Sequence, residues 1–325
     1  MKKSLIALAV AGAFAAPAFA ATSNVDVYGT VRMSLDFNNN PAALEDNVTV
    51  NDRVSRIGFK GSEDLGGGLK AVWQIEQQIA SATAPLAGAT AFGDAGLRNT
   101  FVGLSGGFGT ALIGRHDTPY KLGGSADLFG DTAADSQGAA GIIGSGNFDL
   151  RVSGTVAYVS PEFSGFHAAI AVVPGEQSAA GSTANGIMDA YSMVGVYKNG
   201  PLNASLSYEN HDNLVDESAV KLNVGYAIGD VKLGATYEKQ SDVGGVANVD
   251  NKALLLSVAY GMGPITLMAQ YGDRNHDTAA LDLTRWTMGV GYALSKRTNV
   301  YAAYNSDELN NVDSSAVTFG LNTSF

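Results

Sequence analysis

The 325-residue chain carries 31 acidic against 20 basic side chains, a net charge of −11, and no cysteine. The acidic surplus argues against nucleic acid as a partner, and a disulfide framework is excluded. Beyond the N-terminus no apolar run approaches the roughly 20 residues of a spanning helix, so any membrane span must be a β-strand.

Residues 1–20, MKKSLIALAVAGAFAAPAFA, join Lys2 and Lys3 to an apolar run and the small-residue end Ala18-Phe19-Ala20. That pattern predicts a secretory signal peptide cleaved before Ala21, and export of a single domain over 21–325. Removing Lys2 and Lys3 lowers the basic count from 20 to 18 against the same 31 acids, so the exported chain is more acidic still.

The first mature segment, NVDVYGTVRMSLDF at 24–37, interleaves two compositions. Val25, Val27, Val31, Met33, Leu35 and Phe37 occupy odd positions; Asp26, Tyr28, Thr30, Arg32, Ser34 and Asp36 occupy even ones. Period-two alternation of this length predicts a strand with one apolar and one wet face. Similar segments recur near 50–61, 67–79, 98–105, 109–116, 150–159, 165–174, 189–199, 201–210, 219–229, 230–240, 251–261, 264–273, 284–293, 298–305 and 313–325.

Their connections alternate in length. GSEDLGGG, SGGFG, SPEFSG, NGP, GD, GMGP and LSKRT are short, whereas 80–97, 117–149 and 174–188 are long. Outer-membrane barrels place short turns on the periplasmic side and long loops outside. Tyr158, Tyr197, Tyr226, Tyr260 and Tyr292 lie on apolar faces near short turns, while Tyr208, Tyr237, Tyr271 and Tyr304 each lie just before a long loop. Two interfacial aromatic rings result, flanking an apolar band. The prediction is an all-β, 16-stranded antiparallel transmembrane barrel, closed because every backbone group in lipid must pair.

VDVYGTVRMSLDF, SRIGFKGSEDLGGGLKAVWQIEQ, RNTFVGLSGGFGTALIGRHDTPY, VAYVSPEFSGF and the terminal TFGLNTSF resemble the strands of Gram-negative general diffusion porins. The resemblance spans the whole mature chain. It implies an outer-membrane homotrimer for passive diffusion of ions and small hydrophilic solutes, in contact with lipid and lipopolysaccharide. It also implies that the third loop, here 117–149, folds into the lumen. Phe325 takes the place of the terminal aromatic that the outer-membrane assembly machinery reads.

The lumen residues follow from the faces. Ile57 and Phe59, taken as lipid-facing, place Arg56 and Lys60 inward; Phe101, Leu112 and Val152 with Val156 do the same for Arg98, Arg115 and Arg151; Arg32 follows from the first strand. Each arginine lies about six to nine residues above a short turn or the chain start, near mid-membrane at roughly 3.3 Å per residue. The expected partners across a constriction are Asp127, Asp131 and Asp135 in the third loop. Inward Gly225, Gly234, Gly289, Gly291 and Gly320 suggest open space, and Arg285, near a long loop, is expected to matter little to conduction.

A barrel enzyme is the rival class. His116, His211 and His276 each precede an aspartate, but neighbouring strand residues point to opposite faces, a poor arrangement for a catalytic pair. No catalytic set, metal-ligand set or cofactor is expected. Tyr28 and Tyr301 are the assigned inward tyrosines, too few for the aromatic slide of a sugar-selective channel.

Overall fold

The computed structural model describes residues 24–39, 47–79, 96–138, 140–174, 189–212 and 216–325. Segment 1–20, expected to be a signal peptide, and nearly all of the long connections expected over 80–97 and 174–188 lie outside the described residues.

One antiparallel sheet contains all the strands. They are β1 (Asn24–Asn39), β2 (Asn47–Asp52), β3 (Arg56–Gly66), β4 (Leu69–Gln78), β5 (Thr100–Gly106), β6 (Gly109–Asp117), β7 (Arg151–Val159), β8 (Phe166–Val173) and β9 (Ala190–Asn199). The second half has β10 (Leu202–His211), β11 (Glu217–Ile228), β12 (Val231–Ser241), β13 (Asn251–Met262), β14 (Ile265–His276), β15 (Leu283–Ala293), β16 (Thr298–Leu309) and β17 (Val312–Ser324). Consecutive strands pair, except that β2 and β3 both pair with β1 rather than with each other, and β1 pairs with β17 from Thr30↔Ser324 to Asn39↔Ser315, which closes the ring. The backbone of Phe325 completes the seam by exchanging hydrogen bonds with Gly29 at 3.1 and 3.2 Å.

β2 and β3 are two parts of one stave, so the barrel has sixteen. The continuous strand expected over 50–61 breaks at residues 53–55, where Val54 takes φ 61°. The expected loop after Tyr304 is also absent: β16 runs on to Leu309, and Asn310 and Asn311, at φ 51° and 59°, close a two-residue hairpin onto Val312. Two positive φ values match the twist of the flanking strands, and asparagine tolerates them.

The faces separate as β1 suggests. Val25 and Val27 are 57% and 56% exposed on the outer side, whereas Ser34 and Asp36 on the other face are buried. An apolar belt this continuous is unstable in water and stable against lipid tails. Tyr226, Tyr260 and Tyr292 sit on the exposed face at the short-turn end, and Tyr237, Tyr271 and Tyr304 at the other.

Phe101 and Leu112 do not face lipid. Val102, Leu104 and Ile113 form the exposed row of β5 and β6, while Leu112 is buried with Ala157, Ala171 and Phe101. Alternation is interrupted beside both strands: Gln74 pairs with Phe101 but Gln77 bridges to Leu97, one residue out of step, and the β6–β7 register shifts between Gly114 and His116. Each irregularity resets which face the following residue takes.

Candidate functional site

The segment from 118 to 150 enters the barrel and lies along one side of the lumen. It opens with a single helical turn, α1 (Pro119–Leu122), because Thr118 caps it by accepting from the Lys121 amide at 3.3 Å and Pro119 supplies a preset φ. Its contacts climb the strands of the second half of the chain. The Tyr120 amide donates to Ser192 of β9 at 2.8 Å, and its hydroxyl to Glu238 of β12 at 2.7 Å. Burial, reinforced by the Glu238 charge, holds that hydroxyl protonated far above its ordinary range. The Ala126 amide reaches Thr236 at 2.7 Å, the Leu128 amide reaches Gln270 at 3.0 Å, and the Gly144 amide reaches both oxygens of Glu238 at 3.0 Å.

Apolar packing follows the same side. Ile142 and Ile143 are buried with Ala253, Leu255 and Leu283, and Phe129 with Ala134 and Ala303. At about 1.5–3 kcal/mol for each large aliphatic or aromatic side chain fully buried, this packing is a major part of what holds the loop. The inward glycines receive it. A Cβ on Gly289 would lie 2.5 Å from the Phe129 ring, one on Gly272 would lie 2.7 Å from Ile142, and one on Gly234 would lie 3.0 Å from Ala126. Gly234 and Gly289 are therefore seats for the loop, whereas Gly225 and Gly291, with nearest neighbours at 3.8 and 3.7 Å, leave space.

Charged side chains fix the loop at its base and near its tip. Asp149 accepts from Lys221 at 2.8 Å and from Lys121 at 3.2 Å. Burial alone would raise the Asp149 carboxyl, but the two ammonium groups outweigh it and hold the group below the usual carboxylate range. Farther along, Arg285 grips Asp307 with two bonds of 2.7 Å and donates its remaining terminal nitrogen to the Asp135 carbonyl. Arg285 is thus part of the loop's clamp, not a bystander.

Six basic residues expected from the sequence occupy the other side, and the structure groups them unequally. Arg32 donates to Asp131 at 2.6 Å and Arg56 to the same oxygen at 3.5 Å, so the tip of the loop meets β1 and β3. Arg98 bonds Glu76 at 2.5 Å, and Arg56 lies 4.0 Å from Glu76. Arg151 pairs with Asp117 at 2.9 Å and donates to Asn99 at 2.7 Å. Arg115 stands at the Gly114/His116 register shift and donates to the Leu97 carbonyl and the Ser153 hydroxyl, at 2.9 and 2.8 Å, rather than to a carboxylate. Lys60 is exposed, its Nζ 5.4 Å from the centre of the Tyr28 ring.

The three loop aspartates divide. Asp131 alone reaches the arginines. Asp127 accepts from the amides of Phe129 and Ser136, and Asp135 from those of Gln137 and Asp131, so both shape the loop from within. Burial and then the Asp127 charge push the Asp135 carboxyl up to about 7.

Glu76, Asp117 and Lys221 were not singled out from sequence. Glu76 shares the inward face of β4 with Gln74 and Gln78, and Lys221 alternates with lipid-facing Val220 and Leu222, so the same period would have found both. Of the histidines, His211 lies between Glu209 and Glu217 at 3.0 and 3.1 Å and stacks on Phe148, and His276 accepts from the Thr278 amide at 2.9 Å. Among the described residues no group of three or more His, Cys, Asp or Glu is placed to hold a metal ion.

A family profile described as Gram-negative porin matches residues 7–312. The outer membrane porin protein 32 of Delftia acidovorans is 33% identical over 99% of this chain and 92% of its own length. Among solved structures, an anion-selective porin from Comamonas acidovorans superposes with a TM-score of 0.78 over 93% of this chain and all of that one, at 24% identity. The trimer form of OmpT from Vibrio cholerae superposes at 0.69 over 93% of this chain and 99% of that one, at 18% identity. A closed barrel with an apolar exterior and an inward-folded loop, matched along almost its whole length by that profile, belongs to the Gram-negative porin family.

Proposed function

We propose that the chain conducts ions and small hydrophilic solutes by passive diffusion, through a passage whose narrowest section lies between the inner loop and the basic side of the lumen. The observation that carries this reading is the lopsided anchoring of the loop: its apolar packing and backbone contacts run along β9 to β16 and only Asp131 crosses to Arg32 and Arg56, leaving Lys60, Arg98, Arg115 and Arg151 to line the remaining side.

With Arg32, six cations stand on this side against the carboxylates of Glu76, Asp117 and Asp131, a surplus of three positive charges that the loop's inward-turned Asp127 and Asp135 reduce. A charged ring at a constriction tunes which solutes pass. Anion preference is the reading this surplus supports, and the similar Comamonas protein is described as anion-selective. Three copies associate through their apolar exteriors, and the similar OmpT is described in a trimer form. Residues 1–20 act as the cleaved export signal, lipid and lipopolysaccharide contact the barrel, and Phe325 is the aromatic read during assembly.

Purified protein in planar bilayers tests the proposal. Stepwise conductance with a reversal potential of anion-selective sign is expected in a salt gradient. Correctly folded protein without conductance would overturn the channel reading, and a cation-selective potential would overturn the assignment of the basic side.

A further inference from the structure

On the outer side of the constriction, a recess of about 400 Å³ opens in the wall between the strand ends of β1, β2, β16 and β17 and the loop at Ala133. Its volume lies within the roughly 300–1,000 Å³ of small-molecule sites. Strand register explains its polarity. Asp36 pairs with Thr49 and Thr318, Asn38 with Asn47 and Ala316, and Asn305 with Ala316, so the inward faces of four strands bring their amides and hydroxyls together. Asp36 stands four residues beyond Arg32 along β1, roughly 13 Å at 3.3 Å per residue, which separates the recess from the arginines of the constriction.

The recess has charged members but no free charge. Asp36 is closed off by Arg53, Thr318 and Asn51, and Asp307 is held bidentately by Arg285. The amide nitrogens of Asn38 and Asn51 already donate to Asn47, Thr49 and Asp36, so what faces a solute is neutral: the side-chain oxygens of Asn51 and Asn305 and the hydroxyls of Thr49 and Ser314. Asn305 is 95% buried, and its Oδ1 is a buried acceptor without a hydrogen-bond partner among the described residues, although it borders this recess. Buried acceptors left unpaired are costly, and a small turn of this side chain into the recess would let a ligand hydroxyl satisfy it.

We propose that this recess is a binding subsite for a neutral polyhydroxylated solute, a saccharide of one or two rings. The recess sets the hydroxyls of Thr49 and Ser314 beside the side-chain oxygens of Asn51 and Asn305, a mixture of donors and acceptors that vicinal hydroxyls match. It offers no unpaired cation for a carboxylate or phosphate and no unpaired anion for an amine. Without an aromatic platform the site holds its ligand weakly, which suits a solute that must leave again.

The inference rests on the channel reading, and the test separates the two. Ion current through the full-length protein in a planar bilayer reports the channel. Sucrose is then added to both sides, and current is compared in the parent, Asn305→Leu and Thr49→Val. Sucrose should reduce the parent current beyond the viscosity effect, and each variant should need about fivefold more sucrose for half-reduction, the effect of one lost hydrogen bond. Gluconate should not displace sucrose. Equal sucrose responses in all three proteins would overturn the subsite while leaving the channel intact, as would tighter block by gluconate; no current without sucrose would overturn the channel reading itself. A folded variant of either position suffices, because Asn305 and Thr49 lie on different strands.

Discussion

Lys221 and Asp149 form an ion pair of 2.8 Å in which neither side chain has any solvent exposure. One comes from the barrel wall and the other from the end of the inner loop, so the pair ties the loop to β11. Removing one member of a buried pair typically costs about 3–5 kcal/mol, because the remaining charge keeps its desolvation penalty. Lys121 still reaches Asp149, so Lys221→Met should fall at the lower end of that range, about 3 kcal/mol. The expected outcome is a lower unfolding temperature in detergent and noisier, larger single-channel current. Unchanged current noise and stability would contradict the anchoring role. Since the folded Asp149 carboxyl lies below its unfolded value of 3.8, its contribution is present above that pH and disappears as pH falls through the lower folded value.

Asp135 behaves in the opposite sense. Its folded pKa is raised to about 7, so the protonated loop is the favoured form: the stabilisation is complete below the unfolded value of 3.8 and is lost as pH rises through about 7. Acidification from pH 8 to pH 5.5 therefore removes a negative charge close to the passage. Reversal potentials should move toward anion preference over that interval in the parent, and much less in Asp135→Asn. Parallel pH profiles for the two proteins would rule the assignment out.

The basic side of the lumen gives the most direct electrostatic prediction. Arg56→Ser, Arg98→Ser and Arg151→Ser should each widen the passage and shift permeability toward cations, whereas Glu76→Gln should shift it toward anions. The shifts should shrink between 0.1 M and 1 M salt, as the Debye length falls from about 10 Å to about 3 Å. Arg285 is unsuitable as a control because it grips Asp307 and the loop; Arg297, in the exposed turn before β16, carries the same charge far from the constriction. Selectivity indistinguishable among the parent, the four lumen variants and Arg297→Ser would refute the assignment.

Phe325 links the chain's end to its beginning. Its backbone exchanges two hydrogen bonds with Gly29, and its ring covers the position a Gly29 side chain would need, with Cζ 2.4 Å from that Cβ. Deleting Phe325 should lower outer-membrane levels in cells, and Gly29→Val should weaken barrel closure, read as a lower temperature for loss of the folded gel mobility. Normal levels of the deletion protein in membranes would argue against the assembly role.

Much of this architecture is legible in the sequence because a barrel in lipid imposes one rule on every strand. Alternation in 24–37 gives the face of Val25 and Asp36 directly. It fails at Phe101 and Leu112, where residues near 98 and 114 slip out of register, yet Arg98 still reaches Glu76 because the shift beside Leu97 reverses the face once more. The inward glycines were visible as small residues, but what fills Gly234 and Gly289 is a loop more than a hundred residues away. Arg285 likewise takes its meaning from Asp307 and the Asp135 carbonyl, contacts that no local pattern encodes.

The direction of the loop's attachments also orders the events of assembly. Segment 118–150 precedes β9 to β16 in the chain, and those strands supply its seats, from Ser192 and Glu238 to Arg285 and Gly289. During synthesis and export the loop therefore emerges before the surface that receives it exists. Until the later staves are in place the first half can supply only an unrestricted curved sheet, and the eyelet forms as a late event. A defect in the loop should consequently yield finished barrels with a coarse sieve, whereas a defect in the seam at Gly29 and Phe325 should yield few barrels at all.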